Sequence, residues 1–483
     1  MEAGREEKEV VIAGGGLVGS LLAVCLARRG YKVDVFERRP DPRMEPVVEG
    51  RSINLALSTR GRTALQRFGL GHLGEELGVP MFGRIIHSQN KDAAPEFIQY
   101  GVDPTQHLLS ISRRGLNEAM ITEAEKSPQV QFHFGWKCTN VDLKTNTCTF
   151  QRDGPHRQEE QEGEPEEIQV TTPWIVGADG AFSVVRKAMQ RTDCFNFSQN
   201  YLTHGYKELS IPPSSPQSRG YRMDSGGLHI WPRGEFMMIA LPNLDGSFTL
   251  TLFMPLSQFE LLQDDEERIL AFFEERFPDA VPLIGREHIV QEFLNNPTGS
   301  LVTIRCEPWH RSRAMLIGDA AHAIVPFYGQ GMNAGFEDVF VLDQLLEQFH
   351  EDLDQVLPAF TAARKADADA IADLAQYNYL EMRSHVAHSG FLWRKRVDWL
   401  LAKLFPASWI PLYSMVSFTN IPYAQVVQRA QRQDGIVHTL KRGGFLAVAA
   451  LVAGGGVVAW LARYRPEYLR DLLRRGGNNS ARL

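Results

Sequence analysis

The glycine-rich segment GGGLVG at residues 14–19 constrains the fold of this chain more than any other feature. It lies between a short β-branched run, EVVIAG, and a helical pattern, and the strand-like run YKVDVFE follows, so a βαβ unit is predicted. Gly14 permits the tight turn, Gly16 lets the backbone approach a pyrophosphate, and Gly19 allows close helix–strand packing. Glu37 ends the second strand, where a carboxylate can bind ribose hydroxyls. The pattern therefore predicts an α/β dinucleotide-binding domain.

Two later motifs favour a flavin dinucleotide over a nicotinamide dinucleotide. GADGAFSVVR, which begins at Gly177, places Asp179 in a turn between an apolar strand and a helix. LIGDAAHAIVPFYGQGMNAG, which begins at Leu316, ends a strand at Asp319 and leads through two bare glycines into a helix near Met332. A helix N-terminus at that point suits the pyrimidine edge of an isoalloxazine ring, where reduction builds negative charge. The three motifs together predict bound FAD.

Composition excludes several other classes of protein. The 483 residues are 43% hydrophobic, which is enough to bury a sizeable core and excludes a disordered scaffold. The net charge of −7 argues against nucleic-acid binding, which needs a positive surface field. The five cysteines include no CxxC pair, and the acidic N-terminus has no apolar stretch. Neither a disulfide framework, a metal site nor a leader peptide is expected.

A membrane segment is predicted near the C-terminus. Residues 443–461 carry no charge and are flanked by two basic residues on each side. At ~1.5 Å per residue this stretch would span about 28 Å as a helix, close to the thickness of a bilayer core. We expect a tail anchor with the catalytic part facing the cytosol, and a buried C-terminal helix is the alternative. Residues 391–418, rich in aromatic and basic residues, predict either a helical lobe with a snorkelling basic face or a segment lying on the same membrane.

The predicted fold is α/β: a Rossmann-like FAD-binding domain with an inserted antiparallel-sheet substrate domain, a helical C-terminal lobe and a C-terminal transmembrane helix. Strand signals at LHIWP, FMMIALP and SFTLTLFMP, separated by turns, predict the inserted sheet, and a long helical region is predicted from Met332 to about Arg383. The predicted segments are the first part of the FAD-binding domain at 8–195, the β substrate domain at 196–305, the second part of the FAD-binding domain with the long helix at 306–384, the helical lobe at 385–435 and the transmembrane anchor at 443–461.

From about residue 8 to residue 430 the chain resembles the single-component, FAD-dependent aromatic hydroxylases. The resemblance rests on the three ordered motifs and on RSINLALSTRGRTAL, LHIWPR, FMMIALPN, TLFMP, YNYLEMR and IPLYSMV. These further motifs resemble the members of the family that hydroxylate L-kynurenine. The resemblance implies that L-kynurenine is converted to 3-hydroxy-L-kynurenine with NADPH and O2 as co-substrates, through a C4a-hydroperoxide of the flavin. It also implies the mitochondrial outer membrane as the location.

The resemblance also implies a set of residues that hold FAD. Asp319 is suited to bond ribityl hydroxyls, Arg113 to face the ribityl or phosphate region, and Cys138 to contribute a backbone contact. The complete predicted set is Gly14, Gly16, Val18, Gly19, Glu37, Arg38, Arg39, Ala56, Arg113, Cys138, Asp179, Asp319, Met332 and Asn333.

The substrate residues follow from the same resemblance. Arg84, Tyr100, Asn378 and Tyr413 match positions that hold the amino-acid end of kynurenine. This is sensible chemistry, because a carboxylate is recognised by a guanidinium fork and hydroxyl donors. The residues predicted to line the pocket for the aromatic ring are Phe253, Pro326, Phe327 and Gln330. Phe253 could equally belong to the core of the inserted sheet.

No side chain is predicted to act as a catalytic acid or base, because the flavin supplies the reactive oxygen. His322, close to Asp319, could be read as a base, but we favour a structural histidine. Three other functions stay open: a membrane-bound flavin monooxygenase acting on another aromatic or lipid-like substrate, a membrane flavoprotein without turnover, and an NAD-dependent dehydrogenase.

Overall fold

The computed structural model describes residues 8–45, 54–90, 93–153, 166–215, 220–263, 265–384, 389–406, 408–439 and 467, with the backbone alone at 380–384, 389–393, 395 and 396. The chain divides into two compact units, Met1–Ala424 and Gln425–Leu483. In the second unit, residues 425–439 are helical.

Nineteen strands are described in chain order: β1 Glu9–Ala13, β2 Lys32–Glu37, β3 Asn54–Leu57, β4 Gly78–Met81, β5 Gly83–Ile86, β6 Glu96–Gln99, β7 Leu108–Ser112, β8 Val130–Phe134, β9 Trp136–Asp142, β10 Thr147–Arg152, β11 Glu167–Thr171, β12 Ile175–Gly177, β13 Asn196–Ile211, β14 Gly227–Arg233, β15 Phe236–Pro242, β16 Phe248–Pro255, β17 Gly299–Glu307, β18 His310–Arg311 and β19 Ala314–Leu316.

The α-helices with described bounds are α1 Leu17–Arg28, α2 Thr59–Arg67, α3 Gly71–Leu77, α4 Arg113–Glu125, α5 Val184–Met189, α6 Leu256–Leu262, α7 Glu266–Arg276, α8 Val281–Ile284, α9 Arg286–Asn295, α10 Asp319–His322, α11 Gly331–Gln348, α12 Leu353–Ser384, α13 Ser389–Leu404 and α14 Leu412–Phe418. A short 3-10 turn lies at Pro326–Tyr328.

A six-stranded sheet in the order β18-β19-β12-β1-β2-β8 forms the centre of the first unit. All neighbouring pairs are parallel except β18–β19. The predicted βαβ unit is confirmed as β1, α1 and β2. Because β1 and α1 are almost entirely apolar, both are buried, and α1 packs between the sheet and helices α4 and α11.

The inserted sheet is larger than predicted. Its order is β17-β13-β16-β15-β14-β5-β6, so it takes β5 and β6 from the segment that precedes residue 195. The prediction of an antiparallel sheet was wrong at one place, because β5 and β14 pair in parallel, with Arg84 opposite Leu228. A buried core of leucine, phenylalanine and methionine side chains joins one face of this sheet to helices α6–α9. The opposite face carries Phe253 and Arg84.

The predicted long helix from Met332 to about Arg383 is two helices, α11 and α12. His350 and Glu351 have φ angles of 51° and 64°, and two successive left-handed residues end a right-handed helix. The two helices then pack against each other. The segment 391–418, predicted to be either a helical lobe or a segment on the membrane, contains most of α13 and all of α14.

The predicted anchor at 443–461 lies outside the described residues. Among the residues that the structure describes, no helix combines the length and the apolar character needed to cross a bilayer.

Candidate active site

The three predicted FAD motifs, which begin at Gly14, Gly177 and Leu316, meet at one edge of the central sheet. They follow β1, β12 and β19, which are adjacent parallel strands, so their carboxyl ends lie side by side. The backbone amide of Ala178 donates to the carbonyl of Ala13 at 2.8 Å. The buried guanidinium of Arg186 donates to the carbonyls of Ala181 and Ala320, at 2.5 and 2.7 Å, and so ties the second motif to the third.

The first motif forms a cradle that fits a pyrophosphate. Gly14 has a φ of +106°, and a Cβ there would lie 2.4 Å from the carbonyl oxygen of Ala178. A Cβ on Gly19 would lie 2.0 Å from the carbonyl oxygen of Gly14. A Cβ on Gly16, by contrast, would meet no protein atom within 4 Å. The outer glycines are therefore needed for packing, whereas the middle one faces open space at the N-terminus of α1.

Glu37, predicted to bind ribose hydroxyls of the dinucleotide, is itself hydrogen-bonded to the glycine loop. Its carboxylate accepts hydrogen bonds from the amide of Gly15 at 2.9 Å and from Nε of Arg39 at 2.7 Å. Burial alone would raise the pKa of Glu37, but its hydrogen bonds and the charge of Arg39 lower it overall. Glu37 is thus an ionised acceptor beneath the glycine loop, while Arg38 and Arg39 are exposed beside it.

The two motif aspartates differ in their surroundings. Oδ2 of Asp179 accepts from the amide of Val184 at 2.6 Å at the start of α5, whereas its Oδ1 is buried without a hydrogen-bond partner among the described residues. Burial raises the pKa of Asp179. Asp319 is exposed at the first position of α10, and its side chain makes no hydrogen bond within the described residues. An orphaned carboxylate oxygen and an exposed acid beside the glycine cradle fit the hydroxyl groups of a dinucleotide.

The other predicted cofactor residues lie on several different elements. Val18 packs against Gly318 and Gly335, and so helps to seat α11 on the third motif. Arg113 is exposed at the start of α4, whose N-cap Ser112 accepts from the amide of Gly115. The Cys138 thiol is buried and hydrogen-bonds with the Cys148 thiol. This hydrogen bond and burial raise the pKa of Cys138, so its thiol stays protonated and unreactive. This accords with the expected backbone role of Cys138.

A tightly held loop leads into α11. The Asn333 side chain is fully buried: its Nδ2 donates to the carbonyls of Ala56 and Gly329, at 2.9 and 2.8 Å, and its Oδ1 accepts from the amide of Ser58. The Asn333 side chain and the Ala56 carbonyl are therefore occupied in holding the loop. At these two positions, only the backbone amides are left to bind a ligand. The first amides of α11, at Gly331, Met332 and Asn333, have no partner within their own helix and offer donors to a flavin ring edge.

Three of the predicted substrate residues come together. The guanidinium carbon of Arg84 lies 4.4 Å from the centroid of the Tyr413 ring, and Tyr100 stacks on Tyr413 at 5.4 Å. Tyr413 also stacks on Tyr328, at 5.6 Å, which links the cluster to the loop before α11. Burial and the neighbouring Tyr413 raise the pKa of Tyr100 well above its usual value, whereas Arg84 opposes the increase. The Tyr100 phenol therefore stays protonated beside a cation.

Asn378, the fourth predicted substrate residue, lies on α12. Its Nδ2 donates to the carbonyl of Phe327 at 2.7 Å, so this side chain anchors the loop. Phe327 stacks on Tyr379 at 4.0 Å and meets the tilted ring of Phe253 at 5.0 Å, and the three rings form an aromatic wall next to Pro326. Gln330 is buried, with its Oε1 accepting from the hydroxyl of Tyr423 at 2.8 Å.

His322 belongs to a buried ionic network. Its Nε2 lies 2.5 Å from Oδ2 of Asp338, whose Oδ1 accepts from Nε of Arg364 at 2.8 Å. Burial would raise the pKa of Asp338, but His322 and Arg364 lower it overall. The His322 ring also stacks on Trp309. These contacts agree with the structural interpretation of His322.

Sequence reasoning missed Tyr328, Tyr379 and Tyr423 as neighbours of the site. Tyr328 and Tyr379 could have been found, because they lie inside the PFYGQG and YNY motifs. Tyr423 follows a proline in an unremarkable stretch, and nothing in that stretch indicates its contact with Gln330.

Comparison with known proteins agrees with this geometry. Residues 7–375 match the model of the FAD binding domain family. The kynurenine 3-monooxygenase of Anopheles gambiae is 44% identical over 447 residues, 92% of this chain and 89% of that protein. The kynurenine 3-monooxygenase of Sus scrofa is 44% identical over 437 residues, 90% of this chain and 89% of that protein.

Solved structures share the fold at low identity. 2-Methyl-3-hydroxypyridine-5-carboxylic acid oxygenase superposes with a TM-score of 0.61 at 20% identity, covering 80% of this chain and 96% of that one. The p-nitrophenol 4-monooxygenase of Pseudomonas putida gives a TM-score of 0.61 at 18% identity, covering 82% and 94%. Identity, coverage and fold together show that the chain belongs to the kynurenine 3-monooxygenase family, within the larger family of FAD-binding proteins.

Proposed function

We propose that the protein is an NADPH- and O2-dependent FAD monooxygenase that hydroxylates L-kynurenine to 3-hydroxy-L-kynurenine. Family membership supports the reaction class. An aromatic amino acid as the substrate is supported by the cluster of Arg84, Tyr100 and Tyr413. This cluster contacts the loop before α11, because Tyr413 stacks on Tyr328.

The residues at the edge of the central sheet would hold the cofactor. The Gly14–Gly19 loop would bind the pyrophosphate through backbone amides, and Asp319 with the orphaned oxygen of Asp179 would bind hydroxyl groups. The first amides of α11 would face negative charge on the flavin ring. When bound, FAD supplies the redox chemistry, taking electrons from NADPH and activating O2.

The other residues would bind and shield the substrate. Arg84 would pair with the kynurenine carboxylate, and the Tyr100 and Tyr413 hydroxyls would donate to it. Phe253, Phe327 and Tyr379 form an apolar wall that would pack against the aromatic ring and exclude water. We assign no side chain the role of catalytic base.

The observation that carries the proposal is the Arg84–Tyr413–Tyr100 cluster, because it is a carboxylate-recognition group attached to a flavin-type scaffold. The test is NADPH oxidation by the purified yellow protein, with and without L-kynurenine, together with the mass of the product. Stimulated oxidation with one oxygen atom gained per molecule of product is the expected result.

Three other outcomes would assign other functions. If L-kynurenine stimulates NADPH oxidation but hydrogen peroxide is the only product, kynurenine is an effector and another aromatic compound is the substrate. If a fully flavinylated sample does not respond at all, the protein is a flavoprotein without this turnover. A colourless purified protein would instead favour a nicotinamide-dependent dehydrogenase.

We further propose that residues 443–461 anchor the protein in a lipid bilayer with residues 1–424 on the cytosolic side. The uncharged stretch and its basic flanks support this assignment. The mitochondrial outer membrane is the location that the family resemblance implies.

A further inference from the structure

The loop between α10 and α11 is fixed by three side chains from three parts of the chain. Asn378 of α12 binds the carbonyl of Phe327, and Asn333 of α11 binds the carbonyl of Gly329. The third contact differs, because it fixes a side chain: the hydroxyl of Tyr423, just after α14, donates to Oε1 of Gln330 at 2.8 Å. Tyr423 thus controls the one polar side chain that was predicted to line the ring pocket.

The Tyr423 side chain has little freedom to move. It is fully buried, and the guanidinium carbon of Arg60 lies 3.8 Å from its ring centroid. Arg60 is itself buried and is bound by the Glu337 carboxylate at 2.5 Å and by the carbonyl of Ile421. Arg60 therefore fixes the ring position from α2, and the hydroxyl can point at Gln330 in only a narrow range of directions.

The chemistry of the contact defines both ends of the Gln330 amide. Burial raises the pKa of Tyr423, so its hydroxyl remains a neutral donor. A hydroxyl that donates to Oε1 leaves the Gln330 NH2 group as the end directed elsewhere. Gln330 is also almost fully buried, so rotating its amide would break a hydrogen bond in a medium of low dielectric.

We propose that Tyr423 is a positioning residue for the substrate pocket and acts through Gln330. The proposal rests on the function proposed above, with Gln330 beside the aromatic ring of the substrate. Without the Tyr423 hydroxyl, the Gln330 amide can rotate, and the aromatic ring of the substrate is held less firmly. The substrate would then be poorly placed to receive oxygen. Loss of the hydroxyl therefore weakens substrate binding and diverts oxygen to peroxide, while leaving FAD in place.

The test is Tyr423→Phe in the full chain with bound FAD. Phenylalanine keeps the ring under Arg60 and removes only the hydroxyl. We expect KM for L-kynurenine to rise about threefold to tenfold, the change that one hydrogen bond produces, with kcat changed less than KM. The peroxide formed per NADPH oxidised should also rise, and the FAD content should equal that of the unmodified protein.

The matched control is Tyr221→Phe, which removes another tyrosine hydroxyl that donates to a carbonyl, that of Asn243, at 2.7 Å. It should leave KM and the peroxide yield unchanged. Gln330→Leu breaks the same contact from the other side and serves if Tyr423→Phe does not fold. The double variant should then have the KM of Gln330→Leu alone, because Tyr423 has no remaining group to position.

Each outcome decides between the two proposals. If the unmodified protein shows no kynurenine-dependent turnover, the proposed function fails, and the role of Tyr423 fails with it. If the unmodified protein turns over kynurenine and Tyr423→Phe has the same KM and peroxide yield, only the positioning role is overturned. Additive effects of Tyr423→Phe and Gln330→Leu on KM would also overturn it, since a merely structural tyrosine acts independently of Gln330.

Discussion

The arginines of the first unit fall into two groups according to their surroundings. Arg60, Arg186 and Arg364 are buried, and carbonyl or carboxylate oxygens bind each of them. Arg113 is exposed at the start of α4, and Arg84 lies over an aromatic ring. Nothing in a single sequence separates these groups, because an arginine beside a glycine motif can serve either. The family resemblance predicts ligand-binding roles for Arg84 and Arg113, whereas the contacts of Arg60 and Arg364 required the structure.

Replacing Arg84 tests the carboxylate site at the scale of one residue. We expect Arg84→Ala to raise KM for L-kynurenine about tenfold to a hundredfold, because a charge-assisted hydrogen-bonded pair contributes about 1.5–3 kcal/mol. FAD content should not change, since β5 is not one of the strands that carry the motifs. Arg84→Lys is the control and should lie in between, as lysine keeps the charge but loses the planar fork. An unchanged KM in Arg84→Ala would exclude the carboxylate role.

Glu208 of β13 gives the fold a predictable dependence on pH. Burial raises the pKa of its carboxyl to about 7 from a usual value of 4.5, and Arg113 opposes the increase. The folded state therefore favours the protonated acid. Its stabilising contribution, on the order of 3 kcal/mol, is complete below about pH 4.5 and is lost as the pH rises through about 7.

Glu208→Gln should remove that dependence. Denaturant unfolding from pH 5 to pH 8 should show a smaller loss of stability in Glu208→Gln than in the unmodified protein. The exposed Glu235, changed to Gln, is the control and should leave the pH profile as it is. Parallel profiles for the unmodified protein and Glu208→Gln would show that the Glu208 carboxyl titrates normally.

At the scale of elements, the glycine loop separates packing from ligand binding. Gly19→Ala would place a Cβ against the carbonyl of Gly14, so we expect clear destabilisation, measured as a lower Tm of the apoprotein. The Cβ of Gly16→Ala meets no protein atom, so the stability of the apoprotein should change by less than about 0.5 kcal/mol. The variant should nevertheless bind FAD less tightly, as measured by flavin absorbance after purification. Equal FAD content in Gly16→Ala and the unmodified protein would contradict a pyrophosphate at this loop.

The elements that were predicted from the sequence are those whose signals are local. The strand, glycine turn and helix at residues 9–37 carry their pattern within one short segment, and so does the turn from β14 to β15. The recruitment of β5 and β6 into the inserted sheet was missed, because β5 pairs with a strand about 140 residues later in the chain. The break between α11 and α12 was missed as well, since His350 and Glu351 are ordinary helix residues by propensity.

At the scale of the whole molecule, the proposed membrane anchor is tested by truncation. Deleting residues after Arg432 should release the protein into the soluble fraction, because the uncharged segment 443–461 is lost. The measurement is resistance to an alkaline wash of isolated membranes. The control of equal length is the full chain with Leu451→Arg and Val452→Arg. It should also release the protein, since each arginine costs about 2.5–3.5 kcal/mol at the centre of a bilayer. If the truncated protein still sediments, residues 391–418 become the anchor.

Because β5 and β6 complete a sheet whose other strands follow residue 195, the proposed substrate pocket is not encoded in one contiguous stretch of the gene. Arg84, proposed to bind the substrate carboxylate, lies on β5, whereas Phe253, proposed to line the ring pocket, lies on β16. A chimera that exchanged residues 196–305 for those of a relative would replace Phe253 but keep Arg84, Phe327 and Tyr379, and it would pair β5 of one parent with β14 of the other. Specificity in this scaffold can therefore be transplanted, or can diverge in evolution, only when two distant stretches change together.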